Sequence, residues 1–498
     1  MNDTSTPVRT GRRTRSSAMG IGAATLLASS LFQQGLGLVT LAVVARILSP
    51  ADLGVAAYFL IAAAFIDLMQ RQIPLALVRL DEVTADHLGT VFTLQVLAGL
   101  SLSALSLALI PLAGMTGLAP VVSLLPTVAV YAILSAFRSP RFQLFERDLS
   151  FAYGAAEDSL GRAVYSITAI VLVWLLRDHW ALVWAMFAGQ AAKIVWTFSM
   201  APMRPRLTLS LWRESVSFTS WALAATTIDF LSLRLPQLVI GMALGLREAG
   251  LLRLGSNFID LVTYQLAAPM MRVLYPGLAE ATRDDRDPRE VFMRSNEMFL
   301  AVLLPFAVGL ALIAEDAIRY GLGEQWVPAA QVIWVLAPLQ SLMVLQANVR
   351  AAAYVANETR ILFLRSLVQL PVMAGLLYLG AQNGFHGMIA AVAAFNLTSL
   401  SITLFLGRRY GTGGMLAPLL RGWRSFLSCA AMALAVLGVE ALPGLTADLP
   451  RLAVQVLTGM VVYPMVLLAL WRLAGRPEGA EAFLLTLAGR ALGRLRRT

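Results

Sequence analysis

The ionisable side chains of Asp229, Arg234, Asp260 and Arg272 lie inside the two apolar runs between Phe218 and Ala279, on either side of the polar turn Leu246-Arg247-Glu248. At the centre of a bilayer such a side chain costs a few kcal/mol, so it turns toward protein or water. Arginine presents a planar fork of donors that grips phosphate or carboxylate bidentately. A carboxylate at the same depth can take part in ion coupling or pair with that arginine. Asp67 and Arg71 repeat the combination in an earlier apolar run, and Gln33, Gln34, Gln70, Gln72 and Gln265 add neutral hydrogen-bonding groups. His87, His179 and His386 are scattered and Cys429 stands alone, a pattern with neither metal-ligand spacing nor a disulfide framework. Gly20-Ile-Gly22 and Gly35-Leu-Gly37 follow no strand and read as helix-packing glycines, not phosphate loops.

Composition fixes the setting. Hydrophobic residues make up 58% of the 498 and charged residues 14%, against roughly 45–50% and 25% in a soluble domain. An all-α integral membrane protein follows. The net charge of +10 is carried by arginine, since Lys193 is the one lysine.

Apolar runs long enough to cross about 30 Å of hydrocarbon at roughly 1.5 Å per residue recur throughout. They fall at 19–45, 53–77, 88–112, 119–137, 151–176, 180–201, 217–245, 250–277, 291–314, 327–349, 360–380, 384–406, 422–442 and 451–473, about fourteen transmembrane helices. Pro74, Pro236, Pro269 and Pro338 lie within them, as membrane helices tolerate. Most arginines occupy the N-terminal tail and every second gap, whereas the alternate gaps hold Arg46, Arg177, Arg247, Arg253, Arg319 and Arg451. The positive-inside rule then puts both termini in the cytoplasm. Arg12-Arg13 could open an export signal, but the run from Met19 to Val44 exceeds a signal core of about 7–15 residues, so a retained first helix is expected.

Residues 1–18 read as a basic cytoplasmic tail, and 476–498 as a basic amphipathic helix lying on anionic lipid. Between them, 19–203 and 217–407 form two pseudo-symmetric six-helix halves joined by an interfacial linker at 204–216, with a helix pair in 408–475. Two matched segments support the duplication. Leu48, Asp52 and Gly54 reappear as Leu244, Glu248 and Gly250, an offset of 196 residues; Arg138, Phe142, Glu146 and Phe151 reappear as Arg350, Tyr354, Glu358 and Phe363, an offset of 212. Halves of equal orientation place the symmetry axis along the membrane normal, with substrate sites between repeats.

The stretch Ala45-Arg46-Ile-Leu-Ser-Pro-Ala-Asp52-Leu-Gly54, the later Leu238-Val-Ile-Gly241 with Leu244-Gly245, Pro269…Arg272-Val-Leu-Tyr-Pro276-Gly-Leu278 and Gln143-Leu-Phe-Glu-Arg147-Asp-Leu-Ser-Phe151 together resemble the oligosaccharide flippase (polysaccharide transporter) family of the multidrug/oligosaccharidyl-lipid/polysaccharide exporter superfamily. The resemblance covers about residues 20–410 and departs at Pro236, where the family pattern has an acidic residue before Gln237. It implies a multi-pass protein of the bacterial inner membrane that carries an undecaprenyl-diphosphate-linked oligosaccharide to the periplasmic leaflet by alternating access. The cargo would serve exopolysaccharide, capsule or O-antigen synthesis, with helices 1, 2, 7 and 8 around the cavity. On that reading Arg71 and Arg234 contact the diphosphate, Gln33, Gln34 and Gln265 the remaining polar surface, and Asp67, Asp229 and Asp260 serve ion coupling or pair internally. No cofactor, catalytic residue or nucleic acid is implied; the partners are lipid-linked oligosaccharide, membrane lipids and polysaccharide polymerase or export machinery.

Two other readings come from different classes. A drug or cation antiporter of the same superfamily would need a carboxylate site and an apolar cation pocket. A polysaccharide polymerase or ligase would need a large outer loop, and the outer gaps here are short. Among the remaining charges, Arg46 and Asp52 are expected to staple the first outer turn, Arg272 to anchor a helix end, and Arg162 and Lys193 to pair with Glu157 or Asp158 or to anchor at the interface.

Overall fold

The computed structural model describes residues 11–79, 82–114, 119–148, 150–283, 288–355, 358–410, 414–440, 448–476 and 481. Among them there are helices and turns and no strand. The long helices are α1 (Gly11–Ile47), α2 (Pro50–Gln72), α3 (Ala85–Ala108), α4 (Leu125–Ala136), α5 (Phe151–Leu176), α6 (Trp180–Met200), α7 (Trp212–Ala243), α8 (Leu246–Arg283) and α9 (Pro288–Leu322). They continue with α10 (Ala330–Leu342), α11 (Leu345–Val355), α12 (Thr359–Ala381), α13 (Gly384–Gly407), α14 (Trp423–Glu440) and α15 (Asp448–Leu473). A helix stands in every interval marked by an apolar run, and among the described residues eleven segments are long and apolar enough to cross a bilayer. The chain is a multi-pass membrane protein. Most of the 1–18 tail and the 476–498 helix lie outside the described residues, Glu481 excepted.

Local chemistry starts and stops these helices. Ser49 caps α2: its hydroxyl accepts from Asp52 N–H at 3.2 Å and the Asp52 carboxylate accepts from Ser49 N–H at 3.2 Å, with Pro50 at the first helical position. Asp52 therefore staples the turn between α1 and α2. Gly245, at φ 113° between α7 and α8, adopts a backbone that a side chain would strain. Two prolines modify the simple runs. Pro74 falls where α2 gives way to a 3₁₀ segment, Ile73–Arg79, and the run at 327–349 is built as the 3₁₀ turn Glu324–Ala329, then α10 and α11. Pro338 lacks the N–H that would complete the α10 ladder, and the helix restarts at Leu345.

Two compact units emerge. The first holds Met1–Arg234 with Gly245–Arg247; the second holds Leu235–Leu244 and Glu248–Thr498. In the first, α1 packs on α5, α5 on α6, and α3 on α4. Its core gathers Phe59, Ile66, Leu124, Val128, Tyr131 and Val183, and Tyr131 meets Phe59 and Phe187 edge-on at 5.8 and 5.4 Å. Such aromatic pairs add about 0.5–1.5 kcal/mol each beyond area burial. Residues 202–209 run as an extended strip over the start of α3: Thr208 N–H donates to Thr93 Oγ1 at 3.0 Å, and a Cβ on Gly89 would stand 2.7 Å from Thr208.

In the second unit α9 packs against α10, α14 and α15, and α12 against α13. One end is locked by charge. Arg424 bonds Glu297 and lies 3.2 Å from Glu481, all three buried, while Arg421 and Arg294 hold Glu290 at 2.8 and 2.7 Å. Large apolar side chains on the outer faces, Trp174, Leu175, Tyr378 and Leu434 among them, are exposed, as expected where lipid is the solvent.

Two outcomes follow for this lock. Arg424→Met leaves Glu481 buried without its cation and Glu297 with Arg421 alone at 3.5 Å, and unfolding in detergent should show a loss of about 3–5 kcal/mol. The Glu290 carboxyl is pushed down from 4.5 to about 2, chiefly by its hydrogen bond from Arg421 and then by that from Arg294. A depressed carboxylate contributes stability above its unfolded pKa and loses it as pH falls through the folded one. Melting scans between pH 5 and pH 2 should therefore show a decline that Glu290→Gln reduces; equal decline in both proteins would remove Glu290 as its source.

Candidate functional site

Helices α2, α4, α5 and α6 bring together charges that are far apart in sequence. Arg71 Nη2 stands 2.6 Å from Asp158 Oδ1, and Lys193 Nζ stands 3.5 Å from the same oxygen. One residue earlier on α5, Glu157 is bonded by Arg138, with side chains 2% and 14% exposed. Asp67, one turn before Arg71 on α2, accepts from the Tyr131 hydroxyl at 3.1 and 3.0 Å. Three cations face three carboxylates. Inside a membrane bundle this balance is what allows any of them to remain charged, because an unpaired ion would bear its full desolvation cost.

Two glycines make the arrangement possible. A Cβ on Gly161 would collide with the Lys193 stem, and one on Gly189 would stand 2.9 Å from the Gly161 carbonyl oxygen. The close approach of α5 and α6 lays the four-carbon stem of Lys193 across Gly161 and delivers its ammonium to Asp158. Nearby, Gln70 donates to the Gln95 carbonyl oxygen at 3.1 Å, while Gln70 Oε1 and both Gln95 amide atoms are buried without a hydrogen-bond partner.

The expected site residues distribute as follows. Arg71 and Asp67 join the cluster just described; Arg71 keeps 43% of its side chain exposed. Gln33 belongs to a different contact, donating at 2.8 Å to Ser29, whose hydroxyl lies 2.8 Å from Ser159 on α5; Gln34 is half-buried on α1. Arg234 lies 5.9 Å from the Phe230 ring, which meets Phe65 of α2 at 5.4 Å, and Arg234 Nε is buried without a hydrogen-bond partner. Asp260 is half-buried on α8 in the second unit. The side chains of Asp229, Gln265 and Arg272 lie outside the described residues. Arg162 stacks over Tyr165 at 5.3 Å and reaches across Gly37.

The Arg71–Asp158 bridge spans 87 residues of sequence and had no local signal. Arg138 read as a loop cation, yet it turns inward to Glu157. Lys193, expected to pair with Glu157 or Asp158 or to anchor at the interface, stands beside Asp158. Among the described residues no group of three His, Cys, Asp or Glu is arranged to hold a metal ion.

This architecture of helices has counterparts among solved membrane proteins. It resembles the solved structure titled lipid II flippase MurJ, inward closed conformation, with TM-score 0.71 and 14% identity over 90% of this chain and 98% of that one. A MATE multidrug transporter, DinF-BH, gives TM-score 0.53 and 14% identity over 82% and 98%. Residues 43–331 match the family described as polysaccharide biosynthesis protein, and the chain belongs to that family. Among curated relatives, the succinoglycan biosynthesis transport protein ExoT of Rhizobium meliloti is 24% identical over 87% of this chain and 89% of its own length. The lipopolysaccharide biosynthesis protein WzxC of Escherichia coli is 25% identical over 70% and 74%. The names of these relatives are those of polysaccharide transport and biosynthesis proteins.

Glu157→Gln removes the carboxylate facing Arg138 and should lower stability by about 3 kcal/mol in detergent unfolding. Arg138→Met on top of it should recover part of the loss, because the pair leaves together; a double variant no more stable than the single one would show that Arg138 has another counter-charge.

Proposed function

We propose that the protein moves a lipid-linked oligosaccharide, an undecaprenyl-diphosphate carrying a sugar repeat unit, from the cytoplasmic to the periplasmic leaflet of a bacterial inner membrane by alternating access. Both termini face the cytoplasm in this reading, with arginine in the tail and every second gap. The observation that carries it is the likeness along 90% of the chain to a structure titled a lipid II flippase, joined to membership of a polysaccharide biosynthesis family. Relatives named for succinoglycan transport and lipopolysaccharide biosynthesis support the same class of cargo. Lipid-linked repeat units of this kind feed exopolysaccharide, capsule or O-antigen assembly, so a polymerase and export machinery are the partners downstream.

The chemistry suits a diphosphate. Arg71 rests against Asp158, and a phosphate entering beside it exchanges one anion for another. That exchange spares the site an uncompensated charge at any step. Asp158 keeps Lys193 at 3.5 Å when Arg71 leaves. Arg234, with its Nε unmet, supplies a second guanidinium, Gln33, Gln34 and Gln265 offer hydrogen bonds to the glycan, and Asp67, Asp229 and Asp260 serve coupling or pairing between cycles.

Replacing Arg71 and Arg234 together by Ala, with membrane levels preserved, should abolish surface polysaccharide and leave lipid-linked repeat units on the cytoplasmic leaflet. Export at the unaltered rate would remove both from the site.

A further inference from the structure

The second unit buries an arginine that no carboxylate answers. Arg365, six residues into α12, is 8% exposed. Its Nη2 donates to Ser399 Oγ of α13 at 3.3 Å, while Nε is buried without a hydrogen-bond partner. Among the described residues no acid lies within ion-pair distance of it, and the neighbouring Glu358 is held by Arg409 at 2.6 Å. The closest charge acting on Arg365 is another cation, Arg350 of α11, whose side chain is exposed. An anchor that snorkels keeps its head in water; this head is buried.

The polar groups around it share the same deficit. Ser399 Oγ is approached by Gln346 Nε2 at 2.8 Å, Gln369 Nε2 at 2.8 Å and Arg365 Nη2 at 3.3 Å. A hydroxyl oxygen has two acceptor lone pairs, and three donors from two helices, α11 and α12, converge on it. Turning either glutamine amide would present a neutral oxygen and leave the full positive charge in place.

The internal sequence correspondence sharpens the point. At an offset of 212, Arg138 matches Arg350, and the residues that follow carry Glu157 onto Gln369 and Asp158 onto Leu370. In the first unit Arg138 is neutralised by Glu157. In the second the acids are gone and a further arginine, Arg365, stands where the first has Tyr153.

We propose that Arg365 and Arg350, with Gln346, Gln369 and Ser399, form a site for a phosphoryl group on the arginine-rich side of the second unit. Donors arriving from α11, α12 and α13 suit a tetrahedral oxyanion better than a planar carboxylate, and Arg–phosphate contacts are bidentate and charge-assisted. An incoming phosphoryl oxygen takes the place of the overloaded Ser399 hydroxyl and supplies the missing negative charge. Leu364 and Leu367 on the same helix are exposed, as is Arg350 on α11. The phosphoryl group belongs either to a soluble phosphate or to a membrane lipid headgroup; the site does not depend on the flippase reading.

The test uses the full chain with two probes: pyrophosphate titrated in detergent at constant ionic strength, read by melting temperature, and phosphatidylglycerol against phosphatidylcholine, read as lipid retained in native mass spectrometry. Wild type should bind one of them at least tenfold more tightly than Arg365→Gln; the responding arm names the source. Gln369→Glu restores the acid that the first repeat carries, so it should raise the melting temperature while abolishing binding. Arg350→Gln, a surface change, should weaken binding several-fold and serves if Arg365→Gln does not fold. Wild type that responds to neither probe, or Gln369→Glu protein that binds as wild type does, overturns the proposal.

Discussion

Charge inside hydrocarbon must be answered by charge, and the interior of this protein is organised by that requirement. In the first unit the answer is internal: Arg71, Arg138 and Lys193 meet Asp67, Glu157 and Asp158 across α2, α4, α5 and α6. Each residue is expensive alone and tolerable together, which explains why the helices that carry them approach so closely. Glycines at 161 and 189 let the Lys193 stem cross α5. The cost of the network is thus met by backbone geometry as much as by ion pairing.

The second unit strikes a different balance. Arg424 is neutralised by Glu297 and Glu481 at one end, whereas Arg365 is buried among amides and a hydroxyl. Two units of one chain thereby illustrate two ways of keeping a guanidinium in an apolar bundle: an acid supplied by the protein, or a vacancy of negative charge that something else can fill.

Much of the fold was legible before any coordinates, because helices in lipid must satisfy every backbone group within themselves, so apolar runs translate directly into helices. The Ser49-Pro-Ala-Asp52 box was legible because all its bonds are local. The broken α10–α11 run was not, since Pro338 is tolerated within many membrane helices and its consequence depends on neighbours. Site chemistry was legible by type and not by partner. Arg71 announced itself as a charge in an apolar run, but the acid beside it lies on α5, and Arg365, six residues inside a helix end, looked like an ordinary member of the positive side. Pairing across dozens of residues is decided by helix rotation and depth, which periodicity in a nearly uniform apolar sequence does not encode.

The solitary lysine has a practical side. Lys193 is half-buried against Asp158 in the first unit, and Cys429, the solitary cysteine, is buried in the second. Apart from the N-terminal amine, the natural chain carries one primary amine and one thiol, one to each unit. A buried thiol and a paired amine react slowly in the folded protein, so reagents aimed at each would report the opening of its own unit, one signal to each, without substituting a single residue.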